Sequence, residues 1–460
     1  MLKTKENNTN LFKISDYKSS RYNWCCTYDS NCLLLNTLSW KIYKIKKSIF
    51  SYLQNMDTPS FDISINEMKV LIKEGLLVKN DIKEELIMHH YINMSKYDRD
   101  LKVTIVPTEA CNFRCVYCYQ NHETGHMNDE SEEKIKLFFK NNVRKYNSVN
   151  IEWFGGEPLL QKERVIRISQ YIKQCAIENH VPIVGSMTTN GYYLDYSTFE
   201  KLVSNNILYY QITLDGPREI HDRQRPLASG KGTYDVITSN LNEIKNKFKK
   251  KHVKIAIRIN VSKENSEYIE KFLFELDQRF GSDKRFIFLL ETVKDWGGNS
   301  IKQLESSLFA NRNQLNDLLS SEDHNFKFTL YDEVNESLSN RMCHSYKSSG
   351  FVLNYDAEVY KCAKAMYEND TIKELNKVGE LTINGKLIID EIKNSQWMSQ
   401  ECIKEECENC CWLPACITMH CPLTDILNKQ PKCLYKDNGM NLYNMVVNAY
   451  KNNKFIEIGK

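Results

Sequence analysis

Short β-rich runs alternate with amphipathic helical stretches between residues 101 and 292, and this alternation limits the possible folds more than any other feature of the chain. The runs Leu101–Thr108, Val149–Phe154, Ile183–Thr189, Leu208–Leu214, Lys254–Val261 and Arg285–Thr292 read as strands. Asp129–Tyr146, Lys162–Asn179, Tyr234–Lys249 and Glu264–Phe280 read as helices between them. Crossovers of this length join parallel strands, because a two-residue hairpin cannot. Six such units are too few for an eight-fold barrel, so the expected fold class is α/β, a partial (β/α)6 TIM-like barrel. In such sheets the chemistry lies at the carboxyl ends of the strands.

The residues just after these strands are unusual. The first strand runs through Pro107-Thr108-Glu109-Ala110 into Cys111-Asn112-Phe113-Arg114-Cys115-Val116-Tyr117-Cys118. That spacing puts three thiolates on one short loop, all able to turn toward one point. Three protein ligands on a four-iron cluster leave one iron open to a small molecule, whereas a closed electron-transfer cluster uses four cysteines. A zinc site would show paired Cys-x2-Cys knuckles instead. The second strand ends in Gly155-Gly156-Glu157-Pro158, where two glycines permit close backbone approach and Glu157 adds an acceptor. The third ends in Thr188-Thr189-Asn190-Gly191, and the fourth in Thr213-Leu214-Asp215-Gly216-Pro217, whose Asp215 is equally readable as a turn cap. Beyond it, Arg223 and Arg225 could form surface salt bridges or clamp a carboxylate in bidentate fashion.

Composition narrows the setting. Lys+Arg 62 against Asp+Glu 59 gives no excess charge for nucleic acid or a membrane surface. No run reaches the roughly 18 apolar residues of a membrane span, and the opening MLKTKENNTN lacks an apolar signal region, so a cytoplasmic protein is expected. Sixteen cysteines in that compartment point to metal ligation rather than disulfides. They cluster: three at 111–118 and nine from Cys343 to Cys433.

The cysteine loop, with Tyr117 before its third cysteine, resembles that of the radical S-adenosylmethionine (SAM) enzymes. The resemblance implies a [4Fe-4S] cluster on Cys111, Cys115 and Cys118, with SAM chelating the open iron. It places Tyr117, Gly155, Gly156, Glu157, Thr213, Arg225 and Val293 around SAM, the glycine–glutamate turn at its amino group and Arg225 at its carboxylate. One-electron cleavage to methionine and a 5′-deoxyadenosyl radical would follow, fed by a donor such as flavodoxin or ferredoxin, and the radical would take hydrogen from an unactivated carbon.

From Cys343 the chain resembles the SPASM extension of these enzymes, which carries two auxiliary [4Fe-4S] clusters. The pattern usually has glycine where Ala357 stands, which strains a turn, and three residues rather than the four of Ile417–His420 before Cys421. By resemblance, Cys407, Cys410, Cys416 and Cys433 hold one cluster and Cys343, Cys362 and Cys421 the other. The second lacks a fourth cysteine, and Glu336–Met342 supplies none. Cys402 or Cys411 could serve, or the iron could stay open to a substrate thiolate.

Residues 1–95 precede the barrel. Arg21–Cys26, Cys32–Asn36 and Trp40–Ile45 read as strands, followed by helices at Lys46–Asn55 and Ile65–Glu74. The order is similar to the winged-helix leader-recognition domain of peptide maturases, which binds peptide by strand addition; a structural cap over the barrel is the other reading. Cys25, Cys26 and Cys32 read as small buried hydrophobes. The expected organisation is thus 1–95 recognition, 96–325 barrel and 326–460 SPASM. The expected function is a maturase forming sulfur-to-carbon thioethers in a ribosomally made precursor peptide. The alternatives are carbon–carbon crosslinking and anaerobic sulfatase maturation, whose enzymes carry an aspartate where this chain has Ala363.

Overall fold

The computed structural model describes residues 14–54, 63–122, 124–294, 342–399, 403, 407–414, 416, 421–428 and 442–459. Cys402, Cys433, the loop Ile417–His420 and the stretch Glu336–Arg341 lie outside the described residues.

The N-terminal part opens with β1 (Tyr17–Ser19), β2 (Asn23–Tyr28), β3 (Asn31–Asn36) and β4 (Lys41–Ile45), and β5 (Leu77–Lys79) returns to pair with β1. β2 and β3 form a hairpin whose two turn residues, Asp29 and Ser30, take φ of 43° and 62°. Those left-handed values match the twist of two-residue hairpins, and aspartate tolerates them. β3 is buried on both faces. Leu34 joins Tyr43, Ile49, Tyr52, Met68 and Leu71 under helices 47–54 and 65–73, while Leu33 and Leu35 face the other way. Helix 65–73 begins in a reciprocal capping box between Ser64 and Glu67. The helix 84–96 leads into the barrel.

Six parallel strands follow: β6 (Asp100–Ile105), β7 (Ser148–Trp153), β8 (Ile183–Thr189), β9 (Ile207–Thr213), β10 (Lys254–Val261) and β11 (Phe286–Thr292). They are hydrogen-bonded in sequence order, the arrangement that connections between consecutive strands favour. The sequence reading anticipated these strands within three residues at each end. β10 is buried along nearly its whole length, the signature of a parallel strand covered on both faces. Crossover helices run 129–142, 162–178, 196–204, 234–247 and 266–276. Two helices read from sequence were overextended, because their tails tighten or widen into a 3-10 turn at Val143–Lys145 and a π turn at Asp277–Gly281.

The sheet does not stop at six strands. β12 (Gly350–Leu353) adds parallel to the free side of β6, and β13 (Glu358–Tyr360), β14 (Lys377–Leu381) and β15 (Leu387–Ile389) continue it antiparallel. The cysteine-rich region is therefore continuous with the barrel sheet, ten strands in all. In the turn before β13, Ala357 is held at φ 61°, the strained position anticipated from its replacing glycine. Finally, helix 442–451 and β16 (Ile456–Ile458) return to the N-terminal sheet, where β16 pairs parallel with β4.

Gly350 lets the 3-10 turn at His344–Tyr346 fold back against the start of β12: a Cβ there would stand 2.0 Å from the backbone oxygen of His344. Gly350→Ala is expected to destabilise the protein by about 1–3 kcal/mol through overpacking. Urea unfolding of wild type and variant without clusters checks this.

Candidate functional site

β6 delivers the cysteine loop to the carboxyl end of the sheet, and a second segment clamps it there. Arg114 N donates to Pro226 O (2.9 Å), Val116 N to Gln224 O (3.0 Å) and Ala228 N to Asn112 O (2.8 Å). The loop thus adds like a strand to residues 224–228, which carries Arg225 in behind the thiols. Cys111, Cys115 and Cys118 are all half-buried. Burial pushes the Cys111 thiol up to about 11 and the Cys115 thiol up to about 12, and it raises Cys118 as well. The Arg225 charge opposes the rise at all three. Buried thiols of this kind become thiolates when a metal takes the proton's place.

Arg225 is 7% exposed and sits at the centre of a polar network. Its Nη1 donates to the Tyr117 hydroxyl (2.5 Å) and lies 3.7 Å from Asp215. Tyr117 in turn donates to Asp215 Oδ2, while Asn260 donates its backbone N–H to Asp215 Oδ1 (2.7 Å) and its amide to Tyr117 (3.1 Å). Asp215, fully buried, is therefore a counter-ion of the site rather than a turn cap. Its carboxyl is pushed up by burial and pulled back by Arg225. The buried Arg225 Nε has no hydrogen-bond partner among the described residues, and neither has the Asn112 amide nitrogen. A cationic N–H and an amide N–H with nothing to bond suit an anionic ligand carrying carboxylate oxygens.

The glycine–glutamate turn is packed against the start of the same loop. Gly156 N donates to Thr108 O (3.0 Å) and Glu157 N to Ala110 O (2.9 Å). A Cβ at Gly156 would stand 2.1 Å from Ala110 O, so the close approach is of one chain segment to another. Gly155 has φ of 127°. Glu157 is fully buried and accepts from Leu159 N, Thr189 Oγ1 and Asn190 N at 2.7–2.9 Å. Its carboxylate thus ties the second strand end to the third. Asn190 reaches back to Asn112 Oδ1 (2.8 Å), a link that sequence reasoning missed because nothing local in Thr189-Asn190-Gly191 signals it. Thr213 and Val293 end β9 and follow β11, both nearly buried.

The second thiol group is brought together from three separate segments. Burial raises the thiols of Cys343 and Cys362, the latter to about 12, and each responds further to the charge of Cys421. Cys343 also donates to Ser345 Oγ at 3.5 Å. Cys407 packs in a cluster with Tyr22 and Leu38, whereas Cys410, Cys411 and Cys416 pack against Trp24, Cys26 and Tyr28 of the N-terminal sheet. Among the described residues, no three Cys, His, Asp or Glu side chains converge on a single metal ion. Thiols that each hold a different iron of a cube need not converge so tightly.

The buried ion pair is expected to carry stability as well. Arg225→Met leaves Asp215 buried without its cation and is expected to cost about 3–5 kcal/mol. Urea unfolding without clusters, followed by tryptophan fluorescence, measures it.

Residues 105–276 match the radical SAM superfamily. The chain is 27% identical over 340 residues to the cysteine-type anaerobic sulfatase-maturating enzyme of Clostridium novyi, covering 69% of this chain and 87% of that protein. It is 23% identical over 359 residues to the serine-type anaerobic sulfatase-maturating enzyme of Bacteroides thetaiotaomicron, covering 70% and 82%. Among solved structures, native anSMEcpe with bound AdoMet and Cp18Cys peptide has a TM-score of 0.49 at 19% identity, covering 69% of this chain and 88% of that one. Streptococcus suis SuiB bound to precursor peptide SuiA has a TM-score of 0.46 at 13% identity, covering 86% and 94%. With a matched domain at residues 105–276, three thiols on the loop after β6 and a buried Arg225–Tyr117–Asp215 network beside them, the chain is an enzyme that carries a radical SAM domain, and that superfamily uses a [4Fe-4S] cluster and SAM.

Proposed function

We propose that this enzyme matures a ribosomally made precursor peptide by forming sulfur-to-carbon thioethers. The observation that carries the reading is the pair of thiol groups on neighbouring strands of one sheet: Cys111, Cys115 and Cys118 after β6, and Cys343, Cys362 and Cys421 around β12 and β13, which extend the sheet from β6. Bound at the first, a four-iron cluster and SAM supply hydrogen abstraction from an unactivated carbon. In this reading Arg225 Nε and the Asn112 amide hold the SAM carboxylate, and Asp215 and Tyr117 fix the guanidinium. Glu157 acts chiefly by locking the strand ends together.

The Cys343, Cys362 and Cys421 thiols, with Cys407, Cys410, Cys416 and Cys433, would hold two auxiliary clusters. A group of only three thiols leaves a position that a substrate cysteine could occupy. Residues 14–96 would dock the precursor, and a flavodoxin or ferredoxin would donate electrons.

Sulfatase maturation is the second reading, favoured by the similarity to the Clostridium novyi protein. Against it stands Ala363, which packs with Val106, Val352 and Met366 and offers no carboxylate where those enzymes carry an aspartate base. The two readings separate by product. Incubation with SAM, reductant and a cysteine-containing precursor should remove two hydrogens per crosslink and alkylation-protect one thiol. A formylglycine in a sulfatase-derived peptide would establish the second reading instead.

Replacing Cys111, Cys115 and Cys118 together by alanine is expected to abolish 5′-deoxyadenosine release while iron bound by the other cysteines persists. Continued release by the triple variant would exclude this loop as the SAM site. Precursor binding is expected to slow hydrogen exchange within residues 14–96; protection confined to the barrel would remove the docking role.

A further inference from the structure

The N-terminal sheet has the order β16-β4-β3-β2, so the outer edge of β4 is filled by the chain's own residues Ile456–Ile458. This strand differs from the rest of its sheet. It has three residues, and it pairs parallel where β2, β3 and β4 pair antiparallel. Only Ile458 is buried, entering the core formed by Ile45, Ile49 and Met68, while Ile456 is 42% exposed. Glu457 faces Lys44 at 3.8 Å.

The strand is also separable from the helix that carries it. Helix 442–451 is anchored through Leu442 and Val446 to Leu33 and Leu35, on a face of the sheet rather than at its edge. The chain then reverses at Asn453, in left-handed φ of 54°, with Lys454 N closing onto Ala449 O at 2.8 Å. Phe455 stacks on Tyr450, and only then does β16 begin. The helix can stay seated while three residues leave the edge.

We propose that the outer edge of β4 is the peptide-docking edge of this enzyme, that Ile456–Ile458 occupies it in place of substrate, and that an acidic, aliphatic segment of the precursor binds by displacing it. The inference rests on the reading that residues 14–96 dock the precursor, and it adds the edge, the ligand's chemistry and a built-in competitor. Strand addition supplies backbone hydrogen bonds, and alternate side chains supply specificity. The resident Ile-Glu-Ile shows the pattern this edge accepts: an aliphatic side chain in the Ile458 pocket and a carboxylate beside Lys44. Lys41 pairs with Glu74 at 2.8 Å and Lys46 with Glu67 at 2.7 Å, so Lys44, which faces the resident Glu457, is the charge a displacing partner would meet, and a carboxylate is its complement. A tethered competitor acts at high effective concentration, which keeps weak peptides off the edge.

The test uses a fluorescein-labelled peptide with the sequence of residues 454–459, titrated into the full chain and into a chain ending at Asn453. Anisotropy should show at least tenfold tighter binding to the shortened chain, and a probe with lysine in place of its glutamate should lose that gain. The full-length Glu457→Lys variant, which leaves Ile458 in its pocket, should also gain affinity severalfold, so the proposal does not depend on the shortened chain folding. Equal probe binding by wild type and Glu457→Lys would overturn it. So would a precursor that fails to compete with the probe for the shortened chain. If that precursor still protects residues 14–96 from hydrogen exchange, the docking role stands and only the β4 edge is wrong; without such protection, the docking reading fails too.

Discussion

The arrangement of the site depends on one buried cation. Arg225 lies behind three thiols that burial alone would keep protonated, and its charge opposes that effect at each of them. A guanidinium in so dry a place needs a counter-charge, which Asp215 supplies directly and through Tyr117. Asp215 is fixed in turn by the backbone N–H of Asn260, at the end of β10. The ends of β6, β9 and β10 are thereby tied into one rigid unit before any ligand arrives. Preorganisation of this kind would let the loop receive a cluster and its ligand without the protein having to reorder itself.

A second tie runs through Glu157. Its carboxylate holds the ends of β7 and β8 together, while Gly156 brings the same turn against Ala110, one residue before the first cysteine. No larger residue fits at Gly156 without moving a backbone carbonyl. The glycines therefore serve the chain's own packing first, and the ligand's space is what that packing leaves.

These ties explain what could and could not be read from the sequence. The parallel strands were legible as short β-rich runs separated by helix-length segments; Lys254–Val261, buried on both faces, and Ile183–Thr189, which alternates buried and partly exposed positions, have the limits their residues suggested. The thiol loop was legible because its spacing is local. Asp215 was ambiguous because its partners, Tyr117 and Asn260, lie 98 and 45 residues away. β12 to β16 were not anticipated as additions to existing sheets. They are three to five residues long, and β12 and β16 pair with strands hundreds of residues distant, so no local periodicity announces them.

Those late additions make one body of the two ends of the chain. β12 seats the Cys343–Cys362 region on the edge of β6, the strand that feeds the first cysteine loop. Trp412 and helix 442–451 seat the following region on Leu33 and Leu35 of the N-terminal sheet, beside Cys410 and Cys416. Because β3 is buried on both faces, the sheet cannot be removed without exposing the apolar surface that holds the later cysteines in place. If the N-terminal sheet docks the peptide as proposed, its link to the later cysteines runs through the side chains packed on Leu33 and Leu35.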